Sequence, residues 1–173
     1  QVGIIVTAVL LGFSRMLPLT PLMILFINIV TSTFPALALS IEPTHEKVMR
    51  QKPRDPKEKL LSRYILTKVT VMFPIMVVIS LILFLWELQI QQVSLTKAMT
   101  MAFLAMVVTG ALHTFNARRL HSTIFDAGFF RNQYVFLSVA FSLFLTMLVL
   151  STTMGRELFG TVQLFASDWL IVM

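Results

Sequence analysis

The chain contains no cysteine. That excludes disulfides and thiolate metal sites, and leaves no mark of redox compartment. Charge is scarce as well: 13% of residues are Asp, Glu, Lys or Arg, against about 25% in a soluble domain. No acidic residue occurs before Glu42. Internal repeats and low-complexity tracts are missing, and no His and carboxylate grouping has metal-ligand spacing. The net charge of +6 is not gathered into a basic domain but flanks apolar runs, which argues against a nucleic-acid partner.

What is present is apolar. Hydrophobic residues make up 57% of the 173, and mean hydropathy is +0.84. A bilayer core about 30 Å thick takes roughly 20 apolar residues of helix. Runs at 2–17, 19–41, 63–87, 95–115, 133–152 and 162–173 meet or approach that length. Backbone polar groups cannot stay unpaired in lipid, so these runs are expected to be helices. Continuous apolarity excludes barrel strands, which alternate. The expected fold is an all-α polytopic membrane bundle of about six transmembrane helices. The first and last are short. Gln1 and the closing WLIVM both lie inside apolar runs, so the sequence reads as a piece of a longer or split polypeptide.

Loop charge sets an expected orientation. Lys47, Arg50, Lys52, Arg54, Lys57, Lys59 and Arg63 follow the second run, and Arg118, Arg119 and Arg131 follow the fourth. The intervening loops carry only Arg15, Lys97 and Arg156. By the positive-inside rule, loops 42–62 and 116–132 face the cytoplasm, with both chain ends on that side. Trp86 reads as an interfacial anchor and Glu87 as a solvated helix end. Asp168 reads as an acid favourably placed at the start of the last helix. Gly3 and Gly12 suit close helix packing.

Within the second run, NIVTSTFP places Asn28, Thr31 and Ser32 at i, i+3 and i+4, one face of an α-helix. Pro35 has no N–H for the Thr31 carbonyl and is expected to break or kink the helix there. Polar groups at membrane depth beside an opened backbone are one way to line an ion path. They serve equally as interhelical packing contacts. His113, with Asn116 one turn later, reads either as a ligand or proton-linked group or as an interfacial histidine bonded to a neighbouring helix.

ILFINIVTSTFPALALSIEP followed by KVMRQKPRDPKEKLLS resembles the sixth transmembrane helix and following loop of P-type cation-transporting ATPases. NARRLHSTIFDAGFFRNQ resembles the segment after the family's eighth helix, and LFGTVQLFASDWLIV the start of its tenth. The resemblance implies helices five to ten of an ATP-driven cation pump, with Asn28, Thr31, Ser32 and Pro35 on the ion path and Gln1, His113 and Asn116 as further candidates. It implies a coupling role, under a phosphorylation domain, for Glu42, Pro43, Arg50, Pro53, Arg54, Pro56 and Lys57. The family's D-K-T-G-T and T-G-E strings do not occur here. ATP, Mg²⁺ and the nucleotide-binding, phosphorylation and actuator domains are therefore expected upstream, with lipid and the transported cation as partners, and no catalytic residue in this chain.

The pattern also departs from calcium-type pumps. Ser32 stands at their Asp position, Ile4 at a Glu of the fifth helix, and His113 at a Glu of the eighth. Ca²⁺ prefers six to eight oxygens including carboxylates. Neutral donors suit a monovalent cation better and resemble the alkali-cation efflux branch. The ion is thus expected to be Ca²⁺ or a monovalent cation. The alternative is a non-catalytic or degenerate pump-derived subunit without transport.

Overall fold

A computed structural model describes residues 1–13, 16–42, 63–117 and 132–172. The described residues form a helical membrane bundle. In chain order the helices are α1 (Val2–Leu10), α2 (Pro21–Ser40), α3 (Arg63–Leu85, continuing as a π-helical turn over Trp86–Ile90), α4 (Leu95–Ala117), α5 (Gln133–Ser151), α6 (Thr153–Phe159) and α7 (Ala166–Val172). Four of them are long and apolar enough to cross a membrane: α2, α3 with its π turn, α4 and α5.

Several boundaries differ from expectation for local reasons. The first run is helical only to Leu10. Leu11 leaves helical geometry and Gly12 takes φ +90°, a backbone region that glycine enters without a Cβ penalty. Nothing lies near enough to contact a Cβ at Gly12, so this glycine makes a turn rather than a close helix contact. Gly3 does make one: a Cβ there would meet the Phe73 ring and Val77, where α1 packs on α3. The last run becomes helical at Ala166 rather than 162. The segment STTMGRELFGT, expected to be a loop, contains α6. The Thr152 hydroxyl accepts the Gly155 N–H at its start, and Gly160 closes it in left-handed geometry at φ 65°.

The bundle is built around α4. Every residue from Thr100 to Val107 is buried, and a helix apolar all round belongs in the centre of a bundle. Phe103 of α4 meets Phe26 of α2 edge-to-face at 5.6 Å, and Phe26 meets Phe159 of α6 at 5.5 Å. Helix α3 pairs with α4 as a hairpin, and the second half of α2 lies along α5.

Polar side chains fasten the ends. Asn132, 2% exposed, accepts the N–H groups of Tyr134 and Val135 and so caps α5. Its amide donates to the Ala38 carbonyl at 3.1 Å and to the Glu42 carboxylate, tying the end of α2 to the start of α5. At the opposite ends of the helices, Val162 N–H donates to the Thr100 hydroxyl and Lys97 pairs with Asp168 at 3.0 Å. Glu87 is not a solvated end. It is 2% exposed, held inside by the π turn that carries it against α4.

Candidate functional site

The centre of α2 is not α-helical. Its first turns, Pro21–Phe26, begin at a Thr20 cap, and Phe34–Ser40 is α-helical again, but Ile27–Thr33 is a seven-residue π-helix. The helix runs through Pro35 without interruption. The departure from α geometry falls in the turn before it, where i→i+5 bonding takes up the missing donor. Single π turns inside α-helices are frequent at functional sites.

Two consequences follow for hydrogen bonding. Pro35 stands five residues after Val30 and offers no N–H to that carbonyl. The Ser142 hydroxyl of α5 donates to the Val30 carbonyl instead, at 2.8 Å, and lies 2.8 Å from the Ser138 carbonyl as well. The carbonyl freed by the proline therefore binds the neighbouring helix. Ser142→Ala is expected to cost about 1–2 kcal/mol, the price of a buried acceptor left unpaired, read as a lowered thermal midpoint in detergent.

The second consequence concerns Thr31. In the α-helical segments, hydroxyls return to the carbonyl four residues back: Thr7, Thr67, Ser80, Thr100, Thr109, Thr114 and Thr146 all do so. Within the π segment the spacing changes. Thr33 donates to the Asn28 carbonyl five residues back, at 2.9 Å. Thr31, 5% exposed, has a buried Oγ1 with no hydrogen-bond partner among the described residues. The His113 Nδ1 is likewise buried without a partner.

Both groups line one cavity of about 320 Å³ between the π segment of α2, α4, and the start of α1, together with Gln1, Ser32, Pro35 and Thr114. Gly110 lets α4 approach this closely, since a Cβ there would lie 3.2 Å from the Thr31 methyl. No carboxylate lines the cavity, and among the described residues no three His, Asp or Glu side chains gather as a metal-binding group.

The structure thus brings Gln1, Thr31, Ser32, Pro35 and His113 together. It does not bring in the other two candidates. Asn28 is exposed and does not line the cavity, because the π turn rotates it away from the face that α spacing gives it. Asn116 lies in a second, apolar cavity of about 560 Å³ between α3 and α4, where its amide contacts the Met72 sulfur at 3.9 Å. His113 lines both cavities. Of the coupling-loop residues, Glu42 is bonded to Asn132; Pro43, Arg50, Pro53, Arg54, Pro56 and Lys57 lie outside the described residues. Sequence reasoning passed over Gly110, Thr114, Asn132 and Ser142, each of which acts through contacts between distant helices.

Comparison with known proteins identifies the family. The family described as cation transporting ATPase, C-terminus, matches residues 16–173. The chain belongs to that family. It is the C-terminal transmembrane region of a P-type ATPase. Calcium-transporting ATPase 1 of Bacillus cereus is 32% identical over 180 residues, covering 96% of this chain and 20% of that protein. Calcium-transporting ATPase of Bacillus subtilis is 31% identical, covering 91% of this chain and 18% of its own length. Calcium-transporting ATPase type 2C member 2 of Rattus norvegicus is 28% identical over 90% of this chain and 16% of its own. The chain therefore spans about a fifth of the length of these relatives.

Proposed function

We propose that this region forms part of the cation path of an ATP-driven pump, at the π-helical segment of α2. The observation that carries the reading is the pair of buried, unpartnered polar atoms, Thr31 Oγ1 and His113 Nδ1, lining one cavity with Gln1 and Ser32. A buried polar group without a partner costs about 1–3 kcal/mol, and a cation moving through the cavity supplies that partner to both. Thr31 and His113 act as direct ligands, Gln1 and Ser32 extend the oxygen set, and Pro35 fixes the π geometry that leaves the Thr31 hydroxyl free. Asn28 and Asn116 contribute in another conformation of the cycle. ATP, Mg²⁺ and phosphorylation belong to domains upstream of this chain, and Glu42 with the loop that follows it transmits their state to the membrane. That loop faces the cytoplasm.

The cargo is a cation. Relatives named as calcium transporters make Ca²⁺ the first to test, while the neutral donors of the cavity favour a monovalent ion. The deciding experiment is ATPase activity of the purified full-length protein against Na⁺, K⁺, Ca²⁺, Mg²⁺ and Mn²⁺. Stimulation by one transported cation, weakened in His113→Leu, is the expected result. A folded protein that no cation stimulates would instead be the non-transporting, pump-derived form.

A further inference from the structure

At the end of the bundle away from the Asn132 tie, one lysine faces two carboxylates. Asp168 is 4% exposed. Its Oδ1 lies 3.0 Å from Lys97 Nζ, and its Oδ2 accepts the Phe165 N–H at 2.8 Å. Glu87 is 2% exposed, and its buried Oε2 has no hydrogen-bond partner among the described residues. The π turn that carries Glu87 packs against the start of α4, which carries Lys97. A buried carboxylate left without a counter-charge is costly, and among the described residues Lys97, on the helix that the Glu87 turn packs against, is paired with Asp168.

Three features make that pairing exchangeable. Lys97 has a long, flexible side chain, 25% exposed where Asp168 is 5%, so its ammonium moves without unpacking the core. Asp168 keeps a backbone donor, the Phe165 N–H, when Lys97 leaves. Glu87 sits in a π-helical turn, Trp86–Ile90, whose extra residue per turn is a register that shifts by local rebonding. Both the π turn and α7 pack on the start of α4, which carries Lys97.

We propose that Lys97 is an ammonium shared between two carboxylates, bound to Asp168 in the conformation seen and to Glu87 in a second, so that the contact fastening α7 to the α3–α4 hairpin switches partner. In the second conformation α7 keeps its own cap and its packing on α4 but loses the ion pair, and the end of α3 is drawn onto α4. In the pump reading given above, this supplies a two-state element at the side opposite the coupling loop, away from the Thr31 cavity.

The test is a sign reversal in thermal stability of the full-length protein in detergent, and it requires no transport activity. With Asp168 present, Glu87→Gln removes an uncompensated buried acid, so the midpoint is expected to stay level or rise. In an Asp168→Asn background Lys97 depends on Glu87, so the same substitution is expected to lower the midpoint by about 2 °C or more. The same sign in both backgrounds overturns the proposal. If Glu87→Gln does not accumulate, Lys97→Met decides: an ammonium serving two acids makes it more destabilising than Asp168→Asn, and equal losses overturn exchange. Failure of the pump reading shows separately, as absent cation-stimulated ATPase with the sign reversal intact.

Discussion

Replacing Asn132 with leucine is expected to destabilise the membrane region by about 3 kcal/mol, the sum of two distinct losses. The first is the helix cap. Asn132 Oδ1 accepts two of the free N–H groups that open α5, those of Tyr134 and Val135, and loss of an Asn cap costs about 1 kcal/mol. The second is the tie between helices. The Nδ2 group donates to the Ala38 carbonyl and to the Glu42 carboxylate. Leucine removes both bonds, and loss of the donor to the buried Ala38 carbonyl costs about 1–3 kcal/mol. All four bonds agree on a single amide orientation, with the oxygen accepting twice and the nitrogen donating twice. Asn132→Asp separates the two effects. Aspartate caps a helix as well as asparagine does, but it has no donor and sets a negative charge against Glu42. Thermal unfolding in detergent is expected to show Asn132→Asp as unstable as Asn132→Leu or more so. A near-native midpoint for the aspartate variant would mean that the cap alone matters and that the tie to α2 adds nothing. Because Glu42 opens the loop assigned to coupling, the same substitution is expected to slow ATP-driven turnover in the full-length protein.

How far the sequence carries is visible in three places. The long crossings are legible because lipid demands continuous apolarity and internal backbone bonding. Runs 19–41, 63–87, 95–115 and 133–152 correspond to helices Pro21–Ser40, Ile65–Ile90, Leu95–Ala117 and Gln133–Ser151. Helix α6 reads as a loop in the sequence, because a seven-residue element has no periodic signal to set against two glycines, although Thr152 and Gly160 are ordinary cap residues. The π segment was not legible. Reading Asn28, Thr31 and Ser32 as one face assumes 3.6 residues per turn throughout. The wider turn leaves Thr31 buried and Asn28 exposed. Its effect on Thr31, an empty i−4 bond, arises from backbone spacing rather than from residue type. Glu87 fails for another reason. One acid at the end of an apolar run looks solvated until the π turn carries it against the start of α4, a change of backbone spacing that residue type does not announce. The resemblance to cation pumps named Gln1, Thr31, Ser32, Pro35 and His113, which line one cavity, whereas the cavity itself also needed Gly110 and Thr114 from α4.

Thr31→Val is expected to divide stability from ion dependence. Valine has nearly the shape of threonine, so packing against Gly110 is preserved while the hydroxyl is lost. In the structure that hydroxyl is buried and has no partner. Removing it relieves a desolvation cost, so the thermal midpoint of the cation-free protein is expected to rise, by about 1 kcal/mol of stability. The opposite is expected for the ion. A ligand oxygen facing a charge contributes about 1.5–3 kcal/mol, so the cation concentration that half-activates phosphorylation should increase about 10- to 150-fold. Thr31→Ser keeps the oxygen and is expected to stay within about threefold of the parent, a difference of less than 1 kcal/mol. A purely structural hydroxyl cannot give this pattern. If it merely helped helices pack, its loss would lower stability and leave ion activation alone. If it were idle, stability would rise and ion activation would not move, which would remove Thr31 from the path. Only a group kept unpaired for a passing cation makes the protein more stable without the ion and less responsive to it, and the π turn before Pro35 is the feature of this sequence that holds Thr31 in that condition.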